Sequence, residues 1–352
     1  MRIAVDIVHP ADVHFFKHAI RVLLSRGDAV LITARDKDVT LPLLDALGLP
    51  YRTLSRQPSR RLGLFVELIR RDWGLWRLCR EFRPDVLTGL PGMCAAQVGW
   101  WLGRPSVVWE DTEIQTHIHR ITYPFATEVH SPSCYRIRLG PKQVFYPGYK
   151  ELAYLHPAWF TPDPEVLRRA GIDPSERLAV VRFVSWRAMH DAKGRGFSPD
   201  GKRALIERLA EHGRVLITSE APLPDAWERY RVTLPAEQIH HLLAFASVVV
   251  GESATMASES VVLGTPAVYV DPFGRGYTDE QEQKYGMCFN FTPDRERQAI
   301  DTAVEILRSR ELRGLIGAQR ERLLSEKVDV VRYQLETYGR VAAAHARRPN
   351  AP

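Results

Sequence analysis

The chain has 352 residues, 45% hydrophobic and 26% charged, with 48 Lys and Arg against 42 Asp and Glu. At roughly 150 residues per domain this is enough for two domains with cores of their own, which excludes a stapled mini-protein and a disordered polypeptide. The net charge of +6 is a mild excess that suits phosphorylated ligands or an anionic membrane surface and selects neither. In the first half, β-branched and aliphatic runs predict strands over 3–8, 29–33, 85–88, 106–109 and 127–130. Stretches of helical period lie between them, such as Phe15, Phe16, Ala19, Ile20, Leu23 and Leu24. The alternation predicts a doubly wound, Rossmann-like domain over 1–150. Pro147, Gly148, Pro157, Pro162 and Pro164 then break the pattern and mark an irregular connection. Strands over 178–184, 214–218, 248–250, 267–270 and 287–289 follow, with helices over 200–211, 237–246, 255–263 and 295–308. They predict a second Rossmann-like domain over 151–312, then a charged helical segment within 313–352 whose tail frays from Arg347. The expected class is therefore α/β, with a ligand cleft where the carboxyl ends of both sheets meet.

The βα loops are where chemistry is expected. Residues 6–16 lack the Gly-x-Gly-x-x-Gly of a dinucleotide fold. They offer His9, Asp12 and His14 at a helix start, a set that orients a hydroxyl and accepts its proton near neutral pH. The plainer reading is that Asp12 caps the helix and one imidazole satisfies buried backbone. His14 and His18 share a helical face without a clear third ligand, so no metal is expected. After the strand at 106–109 come Glu110, Asp111, Thr112 and Glu113, then His117, His119 and Arg120. Glu110 is the candidate acid or base here, against a reading in which these acids cap the next helix and balance Arg120.

In the second half, residues 185–196 mix glycines with His190, Lys193 and Arg195, which suits a diphosphate or a solvated basic loop and is not a Walker motif. Residues 251–266 read as strand, small polar loop and helix. Gly251, Ser253, Ala254 and Thr255 lead into a helix N-terminus suited to a phosphate, and Glu259 further in suits the hydroxyls of a ribose. Arg275, in the loop 271–277, completes a sugar or phosphate pocket.

Segments 6–16, 181–186 and 251–266, the last with Thr255 and Met256, resemble a prokaryotic family, domain of unknown function 354, over most of the chain. That family is similar to members of the GT-B superfamily, which includes nucleotide-sugar glycosyltransferases and non-hydrolysing UDP-N-acetylglucosamine 2-epimerases. The resemblance implies that Ser253 and the following helix start contact a diphosphate and that Glu259 holds the ribose. It also matches Glu110 to the epimerases' catalytic acid and sets His190 near their catalytic His. Ala254 stands where the epimerases have Gly, and Gly89-Leu90-Pro91-Gly92 replaces the Gly-Asp-Thr that carries their catalytic Asp. That loss argues against epimerisation. Transferases of the superfamily place a base, often His, on loops of the first domain, so the resemblance points to His14 or Glu110. Basic groups and the helix N-terminus would then stabilise the departing nucleoside diphosphate without a metal.

Residues 56–83 hold eight arginines (Arg56, Arg60, Arg61, Arg70, Arg71, Arg77, Arg80 and Arg83) against Glu67, Asp72 and Glu81, interleaved with Leu62, Leu64, Phe65, Leu68, Trp73, Leu75 and Trp76. A basic amphipathic helix of this kind lies on anionic lipid, suiting a lipid-linked acceptor, or packs on the sheet with a solvated Arg face. No recognised nucleic-acid module accompanies the charge. No apolar run approaches the roughly 18 residues that span a bilayer, and Asp6 interrupts what would be a signal peptide's core. The four cysteines form no Cys-x-x-Cys, which suits reduced thiols. The expected protein is cytoplasmic or peripheral on the inner face of the membrane. It is expected to move a sugar from a nucleotide-sugar donor to an acceptor hydroxyl in surface glycan or glycolipid assembly, with no cofactor beyond that substrate. The alternatives are a UDP-sugar 2-epimerase and a non-catalytic nucleotide-sugar-binding scaffold.

Overall fold

The computed structural model describes residues 1–58, 61–113, 116–183, 196–219, 222–309 and 311–347. It divides into unit 1, Met1–Tyr154 with Val328–Pro352, and unit 2, Leu155–Lys327.

In unit 1, strands β1 (Arg2–Ile7), β2 (Ala29–Asp36), β3 (Arg52–Arg56), β4 (Val86–Gly89), β5 (Ser106–Trp109), β6 (Glu128–Pro132) and β7 (Gln143–Tyr146) form a sheet of order β3-β2-β1-β4-β5-β6-β7. Every pairing is parallel. Parallel neighbours need crossovers, supplied here by α1 (Pro10–Ser25), α2 (Thr40–Ala46), α3 (Arg61–Phe82), α4 (Met93–Trp101) and α5 (Thr116–Thr122). β4 and β5 are buried along their whole length, as strands covered on both faces must be. β3 and β7 are additional to the predicted strands. Both lie at sheet edges; β3 carries no apolar run, and in β7 the run is only Val144, Phe145 and Tyr146, at the start of the proline-broken stretch.

The direction of strand addition reverses between β1 and β4, and the register pairs Asp6 with Gly89 and Gly89 with Val108. The loops leaving β1, β4 and β5 therefore share one edge. One face of the sheet is closed by Leu75 and Cys79 of α3 and by Cys94, Ala95 and Val98 of α4, over Ala4 and Leu87. Arg71, expected among the arginines of an outward face, turns inward. Its Nη2 donates to Asp6 Oδ2 at 2.7 Å, while the Thr33 hydroxyl donates to Asp6 Oδ1 at 2.9 Å.

After α6 (Leu152–Leu155) and α7 (Pro164–Arg169), unit 2 builds a second sheet from β8 (Leu178–Arg182), β9 (Arg214–Thr218), β10 (Val248–Gly251), β11 (Ala267–Val270) and β12 (Cys288–Phe291). Its order is β12-β11-β10-β8-β9, again parallel, with the reversal between β8 and β10. Helices α8 (Pro199–Ala210), α9 (Ile239–Phe245), α10 (Ala254–Leu263), α11 (Gly276–Gln283) and α12 (Glu296–Arg308) follow in turn. Leu205 and Leu209 of α8 meet Ala303 and Leu307 of α12 over Val181, Val248, Val250 and Val268 of the sheet.

The segment 313–352 is divided rather than separate. Within unit 2, α13 (Glu311–Glu326) ends where Glu326 accepts the Tyr285 hydroxyl at 2.7 Å, and Lys327 reaches Glu280 at 2.6 Å. α14 (Val330–Ala346) packs in unit 1, where the Tyr333 hydroxyl meets His130 Nδ1 at 2.9 Å. Arg340 grips Glu128 there through bonds of 2.7 and 2.6 Å, and that guanidinium is the main reason the Glu128 carboxyl is held down at about 2. No helix among the described residues is long and apolar enough to cross a membrane.

Candidate functional site

At the carboxyl edge of β1, His9 caps α1 and accepts the Ala11 N–H at 3.2 Å, while Asp12 Oδ2 accepts the N–H groups of Val8 and His9 at 2.8 and 3.0 Å. The pair forms a capping box in His and Asp. Asp12 is thus part of a helix cap, and burial drives its carboxyl up from 3.8 to about 8. Two amide bonds and Lys150 oppose that rise, and Asp6 adds to it. Amide donors favour a carboxylate, but here desolvation outweighs them. A carboxyl titrating near 8 exchanges its proton at neutral pH, as general acid–base work requires.

His14, in the first turns of α1, is half-buried, with its ring 5.4 Å from that of Tyr154. His18, one turn on, is held down at about 4 by burial first and by Lys17 and Arg21 next, so it is neutral at pH 7. Among the described residues no three His, Cys, Asp or Glu side chains are grouped to hold a metal.

Beyond β5, Glu110 is buried with both oxygens engaged. Oε1 accepts the Thr112 N–H at 2.8 Å, and Oε2 accepts the Tyr123 hydroxyl at 2.9 Å with His119 Nε2 at 3.4 Å. Next to it, Asp111 Oδ2 accepts from Lys150 Nζ at 2.5 Å. Lys150 also acts electrostatically on Asp12, so the loops after β1 and β5 share one buried cation. The start of α5 lies beside residues outside those described, and among the described residues Glu110 and Asp111 are held by other partners. Glu110, Tyr123 and His119 form a polar network, extended by Tyr135, whose hydroxyl lies 3.3 Å from His119 Nε2.

In unit 2 the loop after β10 opens α10 beside the β8 end. Gly251 is required there, since a Cβ would lie 2.1 Å from the Arg182 carbonyl oxygen. Ser253 caps α10, its Oγ accepting the Met256 N–H at 3.3 Å. Ala254 and Thr255 form the first helical positions, half-buried. The amides of any such first turn lack intrahelical acceptors and carry the positive end of the helix dipole. Glu252 accepts the Phe197 N–H at 2.9 Å and lies 3.3 Å from Lys202 Nζ, fastening the chain after the basic loop to the start of α10.

Glu259 is buried further along α10, with Oε1 3.1 Å from His240 Nε2 of α9. Arg275, just before α11, donates to the Gly274 carbonyl at 2.5 Å and lies 3.6 Å from Asp271 Oδ1. Gln281 donates to Ser258 Oγ at 2.8 Å and ties α11 to α10. His190, Lys193 and Arg195 lie outside the described residues.

The profile of the family described as Protein of unknown function (DUF354) matches residues 1–307. The chain belongs to this family. The DUF354 protein is 21% identical over 281 residues to an uncharacterized protein of Methanocaldococcus jannaschii, covering 76% of this chain and 81% of that relative. Among solved structures, the UDP-GlcNAc 2-epimerase of the same organism is similar with a TM-score of 0.64 at 10% identity, over 88% of this chain and 94% of its own. A Streptomyces glycosyltransferase complexed with thymidine diphosphate is similar with a TM-score of 0.62 at 13% identity, over 96% and 99%. At such identities the likeness is one of fold, and the DUF354 protein has the GT-B-like α/β fold of these structures.

Several groups of the candidate site are not evident from the sequence. Lys150 sits in the proline-broken stretch after β7, where a Lys-Glu pair followed by an apolar Leu-Ala-Tyr-Leu run was the available signal. His240 occupies a helix to which the sequence assigns no site residue, and nothing local announces Glu259 as its partner.

Proposed function

We propose that this chain transfers a sugar from a nucleotide-sugar donor to an acceptor hydroxyl, in surface glycan or glycolipid assembly. The observation that carries the reading is the start of α10 at the point where the strand order of unit 2 reverses. Open α/β sheets bind ligands outside the strand ends at such a point. There the first-turn amides after Ser253 suit the diphosphate, and Glu259, oriented by His240, suits the ribose hydroxyls. Arg275 and the loop residues His190, Lys193 and Arg195 supply positive charge.

Unit 1 provides the base. His14 or Asp12 accepts the proton of the acceptor hydroxyl as its oxygen bonds to the anomeric carbon, with Glu110 the further candidate. The bond from that carbon to the diphosphate oxygen breaks, and the leaving charge falls where the helix amides stabilise it. Epimerisation is disfavoured because the loop after β4 offers buried Leu90 and no acid.

The test combines UDP-, GDP-, CDP- and TDP-sugars with NMR of the products. One donor is expected to raise Tm, since a ligand at about 100 times its Kd adds roughly 2.7 kcal/mol, and to release nucleoside diphosphate when an acceptor is present. A C2-epimerised sugar from donor alone would replace this reading with the epimerase. Binding without turnover across acceptors would replace it with the scaffold.

A further inference from the structure

We propose that the outward face of α3 is a seat for an anionic lipid surface, so that the acceptor is presented from a membrane. α3 departs from the ordinary sorting of an amphipathic helix on part of its surface. Its acids turn inward: Glu67 takes Arg35 through bonds of 2.6 and 2.5 Å and the Ser55 hydroxyl at 2.7 Å, and Asp72 is equally buried. Leu68, Leu75 and Trp76 pack toward the sheet, but other large apolar side chains turn out, with Phe65 68%, Val66 60%, Ile69 54% and Trp73 60% exposed.

Residues 65, 69 and 73 recur at the spacing that stacks side chains on one helical face. Arg70, Arg77 and Arg80 are exposed around that stripe, Arg77 standing 6.0 Å over the Trp73 ring. The one exposed acid of the helix among its described side chains is Glu81, in the last turn. The inner face is already committed to the sheet through Leu75 and Cys79, so packing within unit 1 does not account for the outer one.

An anionic bilayer accounts for both parts of the outer face. The apolar stripe enters the acyl boundary, Trp73 sits at headgroup depth, and the guanidiniums meet lipid phosphates. A protein partner would need its own acids set around an apolar patch to match this face, whereas an anionic bilayer supplies acyl chains and phosphates together. α3 follows β3 in a parallel sheet and so starts at the carboxyl edge, and Arg71, halfway along, already meets Asp6 at the end of β1. The apolar half of the face therefore lies at the edge that bears Asp12 and Glu110. The lipid-presented acceptor rests on the transferase reading; the membrane seat does not.

The experiment is flotation of the full chain with vesicles of phosphatidylcholine alone or mixed with phosphatidylglycerol, without nucleotide, so its outcome is independent of donor binding. Wild type is expected to float with the anionic vesicles only, and less so as salt is raised. Ile69→Ser/Trp73→Ser and Arg70→Glu/Arg77→Glu are each expected to reduce partitioning roughly ten-fold or more, with Tm unchanged because every replaced side chain is exposed. Arg71 is left intact because it is buried. Absence of wild-type flotation, flotation unaffected by both double variants, or a wild-type dimer dissociated by Ile69→Ser/Trp73→Ser would overturn the proposal.

Discussion

Asp12→Asn is expected to stabilise the protein above neutral pH and, with Asp12 as the base of the proposed transfer, to reduce turnover by at least about a hundred-fold, the scale of lost acid–base catalysis. The two effects share one cause. Asp12 is buried, and its carboxyl is raised to about 8 chiefly by desolvation. The folded state therefore binds a proton that the unfolded chain, with a carboxyl near 3.8, releases. Between these values stability falls as pH rises, because the native state holds more protons than the unfolded one. Below the unfolded value both states are protonated and Asn brings no gain. Above about pH 8 the gain is complete, about 2 kcal/mol or roughly 4–8 °C in Tm after allowing for burial of the amide. Asn keeps an oxygen for the Val8 and His9 amides, so the cap survives. Thermal unfolding from pH 4 to 9 checks the prediction, and a variant less stable than wild type at pH 8 would refute it.

Arg71→Met is expected to destabilise unit 1 by about 3–5 kcal/mol, the usual cost of removing one partner from a buried ion pair. Asp6 is 2% exposed, and Thr33 would be the hydrogen-bond donor left to its carboxylate among the two that now serve it. Arg70→Ala, one residue away and exposed, should stay within about 0.5 kcal/mol of wild type. Adding Asp6→Asn to Arg71→Met should recover most of the loss, since the penalty comes from an uncompensated charge and not from lost volume. Urea unfolding of the four proteins tests this. Equal effects at positions 70 and 71 would show that Arg71 is not part of the interior.

The alternation of strands and helices was legible because β1, β5, β8 and β10 are runs of β-branched and aliphatic residues buried on both faces. β3 was not, because Arg-Thr-Leu-Ser-Arg at a sheet edge has no apolar pattern to read. The α10 loop stood out through local order alone, strand then Gly, Ser and helix. Asp12 was visible as a candidate, but its titration depends on burial and on Lys150, far along the chain, which no local spacing encodes. The same holds for α3. Its arginines could be counted, yet only packing decides that Arg71 faces Asp6 while Ile69 and Trp73 face out.

The central claim is that α10 begins at a diphosphate site, and Ala254→Asp tests it most directly. Ala254 is the first helical residue and is half-buried. An acid there complements the helix dipole and should leave stability unchanged or raise it by about 0.3–1 kcal/mol. It also sets a negative charge where the diphosphate would lie. Calorimetric titration with UDP, GDP, CDP and TDP should show wild type binding at least one of them and the variant binding it roughly ten-fold or more weakly, at equal or higher Tm. Silence of wild type toward all four, or undiminished binding by Ala254→Asp, would contradict the account.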